Sequence, residues 1–520
     1  MAMTWLGNVE SGTFWAHHPW SDFATNSKRD RFVAVLPIHG FADHGLGLPL
    51  DVEEVVGSEI LRRAVHHLLP DAELRILPAL RFGLAPYPSC VFGIDPETAH
   101  DLVGEIAASV MASGFKKLVF FSTSPWNEAW IDAASRDQRA SLGLQTFVIN
   151  LSGLNLDFHP GSTTRTHVQA IASQLLGAAP AATLRPGDVS DAGFRPGNWR
   201  RPPPCTPDSS LDASELLAGA ARRLARLFTE VHAKAPLGGP GPLPPTPTRV
   251  LHESTPAAIG KAHLWPDHRS SYLPHLTLDA LETLPDKERT LVVIPTGAIE
   301  QHGHHLPVGV DAILGQAWLN SALEKVGTQA QIWVAPPITY GKSNEHTGFP
   351  GTVYISAKTL RRVLLAQARQ LKQLGFRNIA LLNTHGGNSS VLVYTLRELQ
   401  TELGLRAGMV SHGYRPPLAD QESEYGFHAG EWETSLMLAV TEGLVRMDQA
   451  TCEYPARLSD PGELRPESAP ATYSWISRDI SVSGTMGDAT RASPANGNRW
   501  FDEASTALAQ RLIALAAESR

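Results

Sequence analysis

The sequence predicts an α/β protein of two tandem domains, each a mostly parallel sheet covered by helices on both faces. Three observations carry this expectation. First, 520 residues are too many for a single core. Second, the chain repeats itself. LPIHGFADHGLGLPLDVEEV (36–55) lies over IPTGAIEQHGHHLPVGVDAI (294–313), and residues 97–124 lie over 358–385, at offsets of 258 (Pro37 to Pro295) and 261 (Gly114 to Gly375). Two separate blocks at nearly one offset indicate tandem duplication. Third, buried-type strands alternate with helix-period stretches in both copies, the pattern of a parallel sheet with helical crossovers.

In chain order, residues 1–30 are polar and aromatic, with Trp5, Trp15 and Trp20, and are expected to wrap onto a domain surface. Arg31 to Pro37 (RFVAVLP) reads as a strand, as does the apolar, β-branched LVVIP run from Leu291. Residues 97–124 and 358–385 each read as a helix, a Gly-Phe stop with a basic residue after it, and a buried strand. Ser214 to His232 is a helix that mirrors a closing helix from Trp500 to Ala517. Between them Leu237 to Pro247 (LGGPGPLPPTP) is fit for neither helix nor central strand and reads as a linker. The expected domains are 1–236 and 260–520, joined by a Pro/Gly-rich linker over 237–259.

Composition narrows the function. Hydrophobic content of 42% and charged content of 18% suit a globular protein, and a net charge of −8 provides no basic field for nucleic acid or an anionic membrane. Cys90, Cys205 and Cys452 are far apart and share no CxxC spacing, so neither a disulfide framework nor a Cys-ligated zinc site is indicated. The opening residues lack a signal-peptide pattern, and no apolar run reaches the length of a membrane span. A reducing cytoplasm is the expected location.

The stretch LVVIPTGAIEQHGHHLPVGVDAIL (291–314) concentrates the chemistry. Past the end of its strand it places Glu300, His302, His304, His305 and Asp311 within twelve residues. Open α/β sheets put their sites at strand carboxyl ends, and mixed carboxylate and imidazole ligands suit Zn or Mn better than Ca or Mg. A His-rich surface loop is the plain alternative. Three further segments are each ambiguous alone. His385 follows the IALLNT strand and precedes Gly386, Gly387 and Asn388, a good place for a ligand or simply a turn histidine. HAGEWETSLMLAV puts His428, Glu431 and Glu433 ahead of an apolar helix, where acidic residues also complement a helix N-terminus. GKSNEHTGFPGTVYIS (341–356) carries Ser343, Glu345 and His346 in a Gly/Pro-rich loop that could be only a turn.

Together the ExH…D, GxSxEHxxFPGT, NTHGGN and HAGExETS motifs, in this order over about 290–440, closely resemble the creatininase (creatinine amidohydrolase) family. The resemblance implies three-layer α/β/α domains, one or two divalent metal ions per chain (Zn, Mn or Fe), and hydrolysis of a C–N bond in a cyclic amide, formamide or related small molecule by a metal-activated water. By motif it implies Glu300, His302, Asp311, His385 and Glu433 as metal ligands, with Asp311 bridging two ions. His428 would be the proton shuttle, and Glu431 would assist it or bind substrate. Ser343, Glu345, His346, Gly386, Gly387 and Asn388 would bind substrate. Two departures argue against creatinine itself. Gly387 stands where the family pattern has a ligand Glu two residues after the His, and the stretch ADQESEYGF (419–427) lacks an expected Trp.

The first copy has Ala42, His44 and Glu53 where the second has Glu300, His302 and Asp311, and Ser124, Pro125 and Trp126 where the second has His385, Gly386 and Gly387. It is expected to be a degenerate, non-catalytic partner that could supply loop residues to its neighbour's pocket. An unrecognised site around His39, Asp43 and His44 is the alternative. Relatives of this fold form rings of dimers, so a homotrimer of two-domain chains, a pseudo-hexamer, is the implied assembly. Two other readings stay open. One is a non-catalytic metal- or ligand-binding scaffold. The other is lyase, isomerase or lactone-hydrolase chemistry on the same centre.

Overall fold

The computed structural model describes residues 12–26, 29–68, 73–84, 90–178, 202, 204–235, 269–454, 464–465, 471–472 and 474–518. The expected linker over 237–259 and Trp5 lie outside them. Two parallel sheets form the frame. The first contains β1 (Val33–His39), β2 (Leu74–Ile76), β3 (Leu80–Arg81), β4 (Lys117–Ser122) and β5 (Gln145–Asn150), in the order β2-β1-β4-β5 with β3 also on β1. The second contains β6 (Leu291–Thr296), β7 (Ile332–Val334), β8 (Asn378–Asn383) and β9 (Arg406–Val410), in the order β7-β6-β8-β9. The central strands are apolar and buried along their length, as a sheet covered on both faces requires.

The duplication extends to register. Val33 pairs with Leu74 and Lys117 in the first sheet, and Leu291 pairs with Ile332 and Asn378 in the second. Lys117 pairs with Gln145, and Asn378 with Arg406. Each pair maps onto its counterpart at the 258 and 261 offsets read from sequence. Crossover helices match too: Pro96–Ala112 is capped by Asp95, whose side chain accepts from Thr98 N, and Ala357–Gln373 is capped by Ser356, which accepts from Thr359 N.

The two copies are joined by a reciprocal exchange. Gly309 N and Val308 N donate to Ala16 O and His18 O, while Asp51 N and Leu50 N donate to Pro274 O and Leu276 O. At an offset of 258 these pairs are one another's equivalents, so the contact has the self-complementary form of a two-fold dimer interface. The helices Pro96–Ala112 and Ala357–Gln373 contribute in the same way. Gln370 Oε1 accepts from Gly93 N, and at the equivalent positions Ser109 Oγ accepts from Tyr354 N. Glu105 also receives Ser356 N, Ser356 Oγ and Thr359 Oγ1 at the start of the opposing helix.

The expectation that residues 1–30 wrap onto a surface needs correction for its described part. Trp15 and Trp20 are buried between the copies, Trp15 Nε1 donating to Gly351 O and Trp20 Nε1 to Ser483 O. Their size and single N–H donors suit an interface more than an exposed flank. The closing helix runs over Pro494–Glu518 rather than from Trp500, because Pro at its start is compatible with a first helical turn. Strand β1 begins at Val33, two residues after the expected Arg31, which is exposed. Among the described residues no helix is long and apolar enough to cross a membrane, and all three cysteines are free.

Candidate metal centre

The chemistry-bearing residues of the second copy meet at the carboxyl ends of β6 and β8. Glu300 and His302 lie in the loop after β6, Asp311 in the first turn of the helix Val310–Val326, and His385 two residues past β8. His428 and Glu433 flank the start of the helix Glu431–Thr441. Ligand atoms of Glu300, His302 and Asp311 lie within 4.8 Å of one another, as do those of His302, His428 and Glu433, and those of Glu300, His346 and His428.

Asp311 stands between two imidazoles. Its Oδ1 lies 3.6 Å from His302 Nε2 and its Oδ2 lies 3.4 Å from His385 Nδ1. On the first side Glu433 Oε2 is 3.9 Å from His302 Nε2, and on the second Glu300 Oε2 is 3.1 Å from His385 Nδ1. Despite this proximity Glu300 Oε2, His302 Nε2 and Asp311 Oδ2 are buried without a hydrogen-bond partner of acceptable geometry. Buried polar atoms are ordinarily paired, and three orphaned donor atoms converging from a carboxylate and imidazole set fit a borderline divalent cation.

The far side of each ring is anchored. His302 Nδ1 lies 3.0 Å from Glu300 O, which puts the proton on Nδ1 and leaves the Nε2 lone pair for the centre. His385 Nε2 lies 3.1 Å from Lys342 O, 3.2 Å from Ser343 Oγ and 3.5 Å from Glu345 Oε1, so its Nδ1 faces inward. His428 Nε2 donates to Gln301 O at 2.7 Å, which turns Nδ1 toward Glu300 Oε1 at 3.8 Å. Gln301 also orients His346. Its Oε1 accepts from Gly303 N and its Nε2 donates to Gly484 O and to His346 Nδ1, so the His346 proton sits on Nε2, 3.3 Å from Glu300 Oε1.

Charge in the cluster is out of balance. Burial disfavours the charged form of His302, but Asp311, Glu433 and Glu300 outweigh it and raise the ring to about 9. His385 is likewise raised against burial by Glu300 and Asp311. Asp311 is held low despite burial, by His302 and His385. Burial pushes Glu433 up to about 7 and also raises Glu300. Burial, then the charge of His302, drives His428 well below its usual range. Among these packed carboxylates, protons on His302 and His385 hold places that a divalent ion could take.

The expected substrate-binding residues divide. Ser343, Glu345 and His346 stand behind the inward-facing groups, holding His385 and Glu300. Asn388 is fully buried, and its amide is spent on Gly297 O, Asn383 Oδ1 and Lys342 N. Gly387 has no room for a side chain, because a Cβ there would run into Glu345, His385 and Lys342 O. Gly386 lines an open cavity of about 360 Å³ with Asp311, His385 and Glu433 at one end and Trp318, His412 and Trp432 along it. Among the described residues, those lining this cavity all belong to the second copy. Glu431 Oε2 lies 3.5 Å from Arg491 Nε. Sequence reasoning missed Gln301, although it lies inside the leading motif, and Glu422. The Glu422 carboxylate is buried and receives Glu431 N, Asp488 N and Tyr454 Oη.

In the first copy the equivalent place is closed. His44 Nε2 lies 2.8 Å from Glu53 Oε1, both side chains fully buried, and Glu53 Oε2 accepts from Gly40 N at 2.7 Å and Thr123 Oγ1 at 3.3 Å. His39 Nδ1 is 2.9 Å from Thr123 Oγ1, and Asp43 Oδ1 receives Gly45 N. Among the described residues, every cluster with metal-ligand spacing lies in the second copy.

Both copies resemble known proteins. The profile of the creatininase family, described as creatinine amidohydrolase, matches residues 16–191 and 274–512. The mycofactocin precursor peptide peptidase of Mycolicibacterium smegmatis is 35% identical over 224 residues, 43% of this chain and 84% of that protein. The creatinine amidohydrolase of Pseudomonas putida is 32% identical over 208 residues, 36% of this chain and 78% of that protein. A solved structure described as "Creatininase Mn" is 27% identical, covers 46% of this chain and 96% of its own, and has a TM-score of 0.39. With the family profile matching both copies over most of the chain, this protein belongs to the creatininase family.

Proposed function

We propose that the second domain, 260–520, is a divalent-metal-dependent amidohydrolase that cleaves a C–N bond of a small cyclic amide, formamide or related molecule. The observation that supports it most is the set of unpartnered buried atoms, Glu300 Oε2, His302 Nε2 and Asp311 Oδ2. In this reading Glu300, His302, Asp311, His385 and Glu433 would hold one or two ions. Zn, Mn or Fe bound there supplies Lewis acidity toward a carbonyl and acidifies water near neutral pH. His428 does the proton work. Its Nε2–H is committed to Gln301 O, so Nδ1 is the free position, kept neutral by burial and by the charge of His302. A neutral imidazole can take a proton from water and pass it to the departing nitrogen. Glu431, whose Oε2 lies 3.5 Å from Arg491 Nε, would assist that transfer or bind substrate. Ser343, Glu345, His346 and Asn388 keep the ligands in place, and Gly386 borders the substrate. The first domain, 1–236, is non-catalytic.

A second reading, hydrolysis of a peptide amide, is favoured by the similarity to the peptidase and by the cavity. Its volume of about 360 Å³ falls in the range of roughly 300–1,000 Å³ that suits ligands larger than a single small ring. The test is elemental analysis of chelator-free protein, wild type and His385→Ala, followed by amine release from creatinine, a formamide and a peptide amide. One or two Zn, Mn or Fe per chain, lost in the variant, with turnover of one of these amides, is the expected result. Metal content indifferent to His385 would overturn the reading.

A further inference from the structure

The reciprocal exchange between the copies is symmetric in its backbone bonds and asymmetric in its side chains. The segment crossing from the first copy to the second carries the helix Trp20–Thr25, and its equivalent crossing the other way is Leu278–Thr283. At an offset of 258, Trp20 corresponds to Leu278 and Asp22 to Ala280. The side chains of Leu278 and Ala280 form neither hydrogen bonds nor ion pairs. Trp20 and Asp22 form both kinds of contact, and both reach loops that hold the candidate centre.

Trp20 Nε1 donates to Ser483 O at 2.9 Å, and the indole packs on His304 at 4.5 Å and against Phe349 at 5.1 Å. One residue on, Gly484 O accepts from the Gln301 amide that orients His346. Two further on, Met486 N donates to His428 O at 2.8 Å and Met486 O accepts His428 N at 3.2 Å, a short ladder that fixes the backbone of the proposed proton carrier. Asp22 binds Arg446 through two bonds of 2.6 and 2.7 Å. Arg446 N donates to His305 O, and His305 Nε2 lies 2.8 Å from Thr434 Oγ1, next to Glu433.

We infer that the first domain is a built-in positioning subunit: Trp20 and Asp22 hold the 481–486 loop and the 304–305 turn, and through them His428 and Gln301. Neither residue touches the reacting atoms, so they are positioning residues. This assignment rests on the second copy being the active one. Its physical logic is that loops can hold a site in register only when something rigid holds the loops. Here the rigid body is the buried interface of the degenerate copy.

The test uses the full-length, Mn(II)-loaded chain in four forms: wild type, Trp20→Phe, which keeps a ring but removes the donor, Asp22→Asn, and the double variant. Leu278→Ala serves as the reciprocal control. Hydrogen exchange followed by mass spectrometry reads peptides covering 427–431 and 481–487. The double variant should exchange there about tenfold faster, the scale of one or two lost buried hydrogen bonds. Strands β6 and β8 and the Mn content should stay as in wild type, and Leu278→Ala should leave these peptides unchanged. With any amide the wild type hydrolyses, kcat should fall and KM hold. Faster exchange confined to 12–26, or equal loosening by Leu278→Ala, would overturn the inference. A wild type that binds no Mn(II) and hydrolyses nothing would sink the hydrolase reading, while the exchange pattern would still decide the coupling. Should the double variant fail to fold, Asp22→Asn alone, nearly isosteric, carries the same comparison.

Discussion

The two copies solve the same position in opposite ways. In the second, Asp311 points both oxygens at imidazoles, and one of them, with Glu300 Oε2 and His302 Nε2, lacks a hydrogen-bond partner. In the first, Glu53 is one methylene longer, and its two oxygens are occupied by His44, Gly40 N and Thr123. Ala42 and Ser124 in place of Glu300 and His385 remove the second carboxylate and the second ring. One copy therefore keeps a buried cluster of carboxylate and imidazole atoms left for a cation. In the other the Glu53 carboxylate is satisfied internally, while the ring nitrogens His39 Nε2 and His44 Nδ1 lack a partner. A buried polar group without a partner costs stability. The sign of use is thus the convergence of unpartnered carboxylate and imidazole atoms on one point, which the first copy has lost with Ala42 and Ser124.

The largest effect that would break this comparison comes from paired substitutions. Asp311→Ala should abolish stoichiometric metal and turnover together, read by elemental analysis and amine release. Glu53→Ala should leave metal content unchanged but destabilise the chain by ~3–5 kcal/mol in denaturant titration, since it strands His44 and Gly40 N in a dry interior. Metal loss on Glu53→Ala would place a second site in the first copy and undo the contrast. Next in size is His428→Ala. It should keep metal and lower turnover by about 10²–10⁴-fold, whereas loss of metal would make His428 a ligand.

Much of this was legible in sequence because duplication supplies its own alignment. The offsets between LPIHG and IPTGA, and between the two Gly-Phe stops, carry over to the strand register residue for residue. The set Glu300, His302, Asp311, His385 and Glu433 was legible only through the resemblance of its motifs to the family, since each segment is ambiguous alone. The exchange of residues 16–18 with 308–309 was not legible. Local pattern says that Trp15 and Trp20 want burial, and nothing in it says against which copy. Gln301 was hidden for the same reason, since its work depends on Gly484, 183 residues away. Asn388 misled because a polar residue in a glycine-rich turn looks available, while three backbone and side-chain partners already hold it.

A smaller effect should appear in the pH dependence of metal uptake. In the metal-free protein His302 is raised to about 9 and Glu433 to about 7. Each must lose its proton to become a ligand, so binding releases protons and affinity rises with pH. His385, raised as well, must also lose its proton, so the rise in affinity continues through the range in which both rings titrate. Below about 7 the Glu433 proton competes in addition to those of the rings, so the slope steepens toward acid. Chelator competition for Zn at pH 6, 7.5 and 9 measures this. Affinity that increased on acidification would remove His302 and Glu433 from the ligand set.

The smallest effect is expected at the geometric centre of the interface. At an offset of 261 Arg362 is the counterpart of Asp101, and the two pair with each other at 3.0 Å, which places them on the pseudo-two-fold axis. Symmetry makes the pair conspicuous, but both side chains are close to a third exposed, and Arg362 also reaches Asp95. Water screens such pairs, so Arg362→Ala should cost only ~0.2–1 kcal/mol and leave metal content as it was. The reciprocal backbone exchange and the buried aromatic residues would then carry the union of the copies. A loss of several kcal/mol, or separation of the copies in limited proteolysis, would shift that role to the charged pin. The degenerate domain would then be attached at its axis rather than through the segments that reach the active loops.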